Sequence, residues 1–206
     1  MPQIKCRLIL MAPALENTAL DREALTSAIR GGDIAALVAQ QQTPGFPPLG
    51  NEILDLAQSH DIACLQASEH ALNDLSGFDG AHLSVGADLD TLRQARQKLG
   101  KQALLGAVAG PTRDDAMRRG ETGMDYLAFA PQAGEDLPTL ELISWWCDLF
   151  VIPCVVTGKI TLQNAAPFIR AGADFLMLPA SIWQGPQSPE SMIAAFNQLV
   201  DEVSLK

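Results

Sequence analysis

Short, continuous apolar runs alternate along the chain with stretches in which apolar residues recur every three or four positions. The first run, Ile4–Ala12, predicts a buried strand. Asp21–Ile29 follows with Ala24, Leu25, Ala28 and Ile29 on one helical face, and Gly31-Gly32 stops it. The same alternation predicts further strands at Ile34–Ala39, Asp61–Leu65, Asp79–Ser84, Ala103–Val108, Asp125–Ala130, Ile152–Val156 and Asp174–Leu178. Helices are expected at Asn51–Ser59, from Ser68 to Leu75, and at Asp88–Leu99, Thr112–Glu121, Thr139–Leu149, Thr161–Ala171 and Pro189–Val203.

Strands that are apolar on both faces are what a parallel sheet needs when helices cover it. Eight of them, at about 20–25 residues per unit, predict a single α/β domain over residues 1–206. A closed (β/α)8 TIM barrel is the favoured architecture, with an open doubly wound sheet as the alternative. Punctuation repeats at three strand entries, in Phe78-Asp79-Gly80, Gly123-Met124-Asp125 and Gly172-Ala173-Asp174. In a barrel that end serves stability and not chemistry, so these aspartates are read as parts of a recurring helix-to-strand turn.

Two other corners point to chemistry. Cys154–Thr161 and its echo Leu176–Ser181 each end an apolar run in small or turn-forming residues, just where a helical pattern opens. Such a corner leaves main-chain N–H groups without partners at the positive end of a helix dipole. Two side by side make a phosphate pocket, and barrels often bind phosphate after their last two strands. Gly158, Lys159, Ile160, Ala180 and Ser181 are therefore the candidate phosphate-binding residues, with Thr157 at the edge. Pro179 removes one donor from the second corner.

Composition narrows the ligand. Hydrophobic residues make up 48% of the 206 and charged ones 18%, as in a chain with a large core. A net charge of −10 argues against nucleic acid, whose binding relies on clustered Lys and Arg. An anionic small molecule stays compatible, because a helix N-terminus and one lysine reverse the sign of the field inside a pocket. The four cysteines show neither C-x-x-C nor metal-ligand spacing and read as small buried hydrophobes. The apolar run Leu8–Ala12 is shorter than the roughly 7 residues of a signal core, and none approaches the roughly 18 of a membrane span. A cytoplasmic protein without membrane contact is expected. Trp145-Trp146 falls on the outer helical ring, as packing or as a patch that would suit a homodimer.

Read in order, Asp79-Gly80-Ala81-His82-Leu83, Leu105-Gly106-Ala107-Val108, Gly123-Met124-Asp125-Tyr126-Leu127-Ala128-Phe129-Ala130-Pro131, Ile152–Ala166 and Ala171-Gly172-Ala173-Asp174 resemble the thiamine-phosphate synthase and TenI family. The resemblance covers Asp79 to Ser181, more loosely the whole chain, and is most specific in the last third. It implies a (β/α)8 barrel. Synthases of the family join a hydroxymethylpyrimidine pyrophosphate to a thiazole phosphate and release pyrophosphate with Mg²⁺; TenI members isomerise the thiazole phosphate. The family's Gly-Gly-Ile reads Gly158-Lys159-Ile160 in this chain. Lys159 then either sets an ammonium beside the phosphate or projects into solvent, and a positive φ there would cost about 1 kcal/mol.

The departures lie where a pyrophosphate would sit. The synthase pattern's Gln, Arg and Lys after the second strand are replaced by the uncharged Val38-Ala39-Gln40-Gln41-Gln42-Thr43. Its Asn-Asp becomes Leu65-Gln66-Ala67, and its Gly-Gln-x-Asp becomes Ser84-Val85-Gly86-Ala87-Asp88, where Asp88 is one residue late and equally suited to cap a helix. Its Pro-Thr-x-Thr-Lys loop becomes Pro131-Gln132-Ala133-Gly134-Glu135-Asp136-Leu137-Pro138. Glu135 and Asp136 read either as binders of a metal or a cationic thiazolium, or as plain loop charges; Pro131 stands where isomerising relatives carry a histidine. His82, on a strand, is the best placed of three scattered histidines, and no metal triad is predicted. The expectation is a barrel of thiamine biosynthesis that binds a phosphorylated thiazole or thiamine phosphate and has lost its pyrophosphate and Mg²⁺ apparatus. Mg²⁺ would be needed only if the synthase reaction is retained. The alternatives are a non-catalytic phosphate-ligand or regulatory module, or another reaction on a phosphorylated heterocycle.

Overall fold

Each apolar strand has two faces to bury, and the computed structural model shows how both are covered. It describes residues 5–12, 22–40, 49–68, 75, 77–84 and 86–204. Strands β1 (Arg7–Met11), β2 (Ala36–Gln40), β3 (Ala63–Ser68), β4 (Gly80–Leu83), β5 (Leu104–Val108), β6 (Tyr126–Phe129), β7 (Cys154–Val156) and β8 (Phe175–Leu178) pair in sequence order, all parallel. β1 also pairs with β8, Ile9 opposite Met177, which closes the barrel and removes the open-sheet alternative. Helices α1 (Arg22–Arg30), α2 (Asn51–Gln58), α3 (Leu89–Leu99), α4 (Arg113–Gly120), α5 (Leu140–Leu149), α6 (Ala165–Arg170) and α7 (Pro189–Ser204) complete the described elements.

The two-residue period of the strands sorts the apolar side chains into two cores. Ile9, Val38, Leu65, Tyr126, Val155 and Met177 meet inside the barrel. Their neighbours along the strands, such as Leu8, Leu37, Leu105, Leu127 and Leu176, face outward onto Leu25, Leu92, Ile143 and Phe196 of the helices. Trp146 belongs to this outer layer: it is fully buried, stacks on Phe150 at 4.1 Å, and donates its indole N–H to the Ile152 carbonyl at 2.9 Å. Trp145 is half-buried beneath the Arg113 guanidinium, 5.0 Å from its ring centroid. The pair divides, one ring in the core and one at the surface.

The aspartates at the strand entries share one task. The Asp79, Asp125 and Asp174 carboxylates accept the main-chain N–H of Cys64, Leu105 and Cys154 at 2.8, 2.7 and 2.8 Å, each on the preceding strand. An amide at the start of a strand has no ladder partner on that side, and a carboxylate from the incoming turn supplies one. At the β1–β2 entry, Asp33 instead holds the Arg7 guanidinium in a fork of two 2.7 Å bonds.

Some boundaries differ from those expected. β3 begins at Ala63 and not at Asp61, because Asp61 takes a positive φ of 57° and closes the turn that ends α2. α6 begins at Ala165 and not at Thr161, because Thr161–Asn164 is a turn in which the Thr161 N–H donates to Asn164 Oδ1 at 2.8 Å. The helical pattern from Ser181 onward yields a single 3-10 turn, Ala180–Trp183, before the chain breaks and restarts as α7. The helix expected from Ser68 to Leu75 falls mostly outside the described residues, as do Ile4 and Asp21 at the expected starts of β1 and α1. Among the described residues, no helix is long and apolar enough to cross a membrane.

Candidate functional site

In a parallel barrel the C-terminal strand ends form the mouth. Beneath it, the register Ala67↔His82↔Gly106 places a histidine beside a glycine, and Gly106 lies opposite Tyr126 on β6. The missing side chain at Gly106 is what lets the tyrosine in: a β-carbon there would fall 1.9 Å from the Tyr126 ring. The phenol reaches His82 Nδ1 at 2.9 Å, and the two rings lie nearly parallel, with centroids 5.8 Å apart. Both residues are buried. Burial pushes His82 down to about 4. It also pushes the Tyr126 phenol upward, with the Asp125 charge adding to the effect. At neutral pH the pair is an uncharged hydrogen-bonding floor in an otherwise apolar interior. His82 was legible in the sequence as a strand histidine. Tyr126 was not singled out, and the only signal for it, an opposing glycine on the neighbouring strand, depends on register.

The two C-terminal corners do come together. Ile160 and Thr161 after β7, and Pro179, Ser181 and Ile182 after β8, line one cavity of about 340 Å³ together with Met192 and Phe196 of α7. Their main-chain donors are not equivalent. Lys159 N–H donates to the Asp136 carbonyl at 2.9 Å, Ile160 N–H to the Gly158 carbonyl at 2.9 Å, and Thr161 N–H to Asn164. The amides of Gly158, Ala180 and Ser181 have no protein partner among the described residues. The positive φ falls on Gly158, at 126°, and not on Lys159, so the lysine carries no backbone strain. Its ammonium pairs with Asp136 Oδ1 at 2.7 Å while both side chains stay largely exposed to solvent.

The remaining candidates are spread around the rim. Pro131 packs on Gly158, within 3.3 Å of where a β-carbon would be. Thr157 N–H continues the sheet to the Phe129 carbonyl at 3.1 Å. Glu135 is exposed, its N–H bonded to the Gln132 carbonyl. Asp88 caps α3 by accepting the Thr91 N–H at 2.7 Å, which holds its carboxyl below the usual range. No three His, Cys, Asp or Glu side chains converge as metal ligands among the described residues. Of the uncharged stretch Val38–Thr43, residues 41–43 lie outside the described residues, as do Glu69 and His70. The cysteines are unbridged, and burial pushes Cys6 and Cys64 up to about 12, so neither is a thiolate nucleophile. A larger cavity, about 750 Å³, lies on the helical ring around Trp145 and away from the mouth.

Residues 9–182 match the sequence profile described as thiamine monophosphate synthase. The chain belongs to that family. It is 32% identical to a thiamine-phosphate synthase of Hyphomonas neptunium, over 98% of this chain and 97% of that one. A thiamine-phosphate synthase of Rhodospirillum centenum is also 32% identical, over 95% of this chain and 98% of the other. Among solved structures, thiamine phosphate pyrophosphorylase from Pyrococcus furiosus superposes with a TM-score of 0.76 at 18% identity, covering 98% of each chain. At that identity the last likeness speaks for the fold alone.

Proposed function

We propose that this member of the thiamine monophosphate synthase family binds a phosphorylated thiazole, or thiamine phosphate, across the barrel mouth, and that its synthase turnover is low. The observation that carries the binding half is the joining of the β7 and β8 corners around one cavity that Ser181 lines, with the Gly158, Ala180 and Ser181 amides unbonded among the described residues. A phosphate there accepts main-chain N–H groups. Within the family, the relatives named thiamine-phosphate synthase supply the ligand class.

Low turnover rests on the residues that a diphosphate leaving group requires. Its charge has to be met by cations or a metal held by carboxylates. In this chain Asp88 is committed to capping α3, and Asp136 is paired with Lys159. No step is therefore assigned to Mg²⁺. The test has two parts. Calorimetric titration with thiazole phosphate should show binding that Ser181→Glu, which sets a carboxylate at the cavity edge, weakens by roughly tenfold or more. Incubation with both synthase substrates and Mg²⁺ should give turnover far below the roughly 1–1000 s⁻¹ of ordinary enzymes. Turnover inside that range removes the second half of the proposal, and unimpaired binding by Ser181→Glu removes the first.

A further inference from the structure

The seam where β8 meets β1 has an acceptor left over at the mouth. Along a parallel strand, alternate residues turn their main-chain groups to opposite neighbours. On β1, the Arg7 N–H donates toward β8, to the Asp174 carbonyl at 2.9 Å, whereas the Ala12 N–H donates toward β2, to the Val38 carbonyl at 2.8 Å. Arg7 is opposite Phe175 and Ile9 opposite Met177, so Met11 belongs to the set that faces β8. In a parallel ladder such a carbonyl accepts from the residue after its opposite number. For Met11 that position is Pro179, and the donor due there is the Ala180 N–H.

A side chain takes its place. Trp183 donates its indole N–H to the Met11 carbonyl at 2.7 Å, and the Ala180 N–H is left without a protein partner among the described residues. The turn that carries the indole is fixed on both sides. Ile182 is buried, and the Trp183 ring is half-buried against the outer core. Within the turn, the Ile182 N–H donates to the Pro179 carbonyl and the Gln184 N–H to the Ser181 carbonyl, both at 3.2 Å. A bare carbonyl at a strand end would draw the nearest amide. An indole N–H is a donor only, so it satisfies that carbonyl without bringing a competing acceptor into the corner.

We infer that Trp183 is a positioning residue for the β8 corner: by holding the Met11 carbonyl, it keeps the Ala180 amide out of the barrel ladder and open to an anionic oxygen. Ala180 stands between Pro179 and Ser181, both of which line the cavity shared by the two corners. This role rests on the phosphate-binding reading of that corner and needs no contact between the indole and the ligand.

Amide exchange of the intact protein, followed residue by residue by NMR with inorganic phosphate as the probe, tests it. Without phosphate, the wild-type Ala180 N–H should exchange roughly tenfold or more faster than the Leu178 N–H inside the β8–β1 ladder, and phosphate should slow it. Trp183→Phe keeps a ring and removes the donor. There the Ala180 N–H should take over the Met11 carbonyl and slow by roughly tenfold or more without phosphate, while phosphate affinity falls by roughly tenfold. A merely structural role for the indole predicts the opposite sign, since a loosened turn exchanges faster. Ala180 exchange that is unchanged or faster in Trp183→Phe overturns the inference. If the wild type binds no phosphate while Ala180 still slows in Trp183→Phe, the ligand reading fails and the contest for the Met11 carbonyl stands. Should Trp183→Phe fail to fold, the wild type decides: an Ala180 N–H as protected as that of Leu178 overturns the inference.

Discussion

Substituting Gly106 by alanine tests how the floor of the barrel is built. The new β-carbon would meet Tyr126 Cζ, Cε1 and Cε2 at 1.9, 2.2 and 2.3 Å, inside the ring itself, so the ring must leave its place. Moving it breaks the 2.9 Å bond to His82 in a buried setting. Overpacking of this kind costs about 1–3 kcal/mol, and leaving a buried polar partner unsatisfied costs about 1–3 more. A total of about 3 kcal/mol or above is expected, or a melting point lower by roughly 6–12 °C in a chain of this size. Urea unfolding at constant slope measures it, in the wild-type background and in Tyr126→Ala, where the ring is gone. Gly106→Ala should be close to neutral in the second background. An equal cost in both, or less than about 1 kcal/mol in the first, would show that the glycine is not there to admit the tyrosine.

Three further outcomes follow from particular contacts. His82 stays neutral in the fold down to about 4, while the unfolded chain protonates it near 6.5, so the unfolded state binds more protons between those values. Stability should therefore fall as pH drops from about 6.5 toward 4, and His82→Gln should flatten the slope of urea midpoint against pH; identical slopes would contradict the assignment. Asp174→Ala leaves the Cys154 N–H without its acceptor and should cost about 1–3 kcal/mol by thermal melting, with Asp174→Asn costing less and phosphate affinity unchanged in both. Lys159→Ala removes an exposed ion pair and should cost under about 1 kcal/mol, whereas Gly158→Ala, at φ 126° and 2.6 Å from the Asp136 carbonyl, should cost on the order of 1–3 kcal/mol. Denaturation midpoints of the two variants separate main-chain from side-chain fastening of this loop.

The strands and their helices were legible because period and apolar run length are local properties of the backbone. Boundaries moved where a turn used special geometry, as at Asp61, or a side-chain cap, as at Asn164, and β2 and β7 each begin two residues later than expected. The aspartates at the strand entries were legible as turn parts, and the structure adds the amide that each one holds. The corners after β7 and β8 were legible as neighbouring turns, but not which of their amides are free to donate. Whether the amides of Lys159 and Ile160 are available depends on Asp136 and on the local turn.

By itself, then, the order of residues determined the eight-strand alternation, the two-faced burial of each strand, and the position of the glycine-rich corners. Those follow from the chain's own repeat distances. Only closure of the barrel decided that Tyr126 meets His82 across 44 residues and that Asp136 claims Lys159. The reason is physical: a partner across strands or turns is chosen by register, by close approach at a missing side chain, and by which polar groups burial leaves unpaired. None of these is written in any one segment.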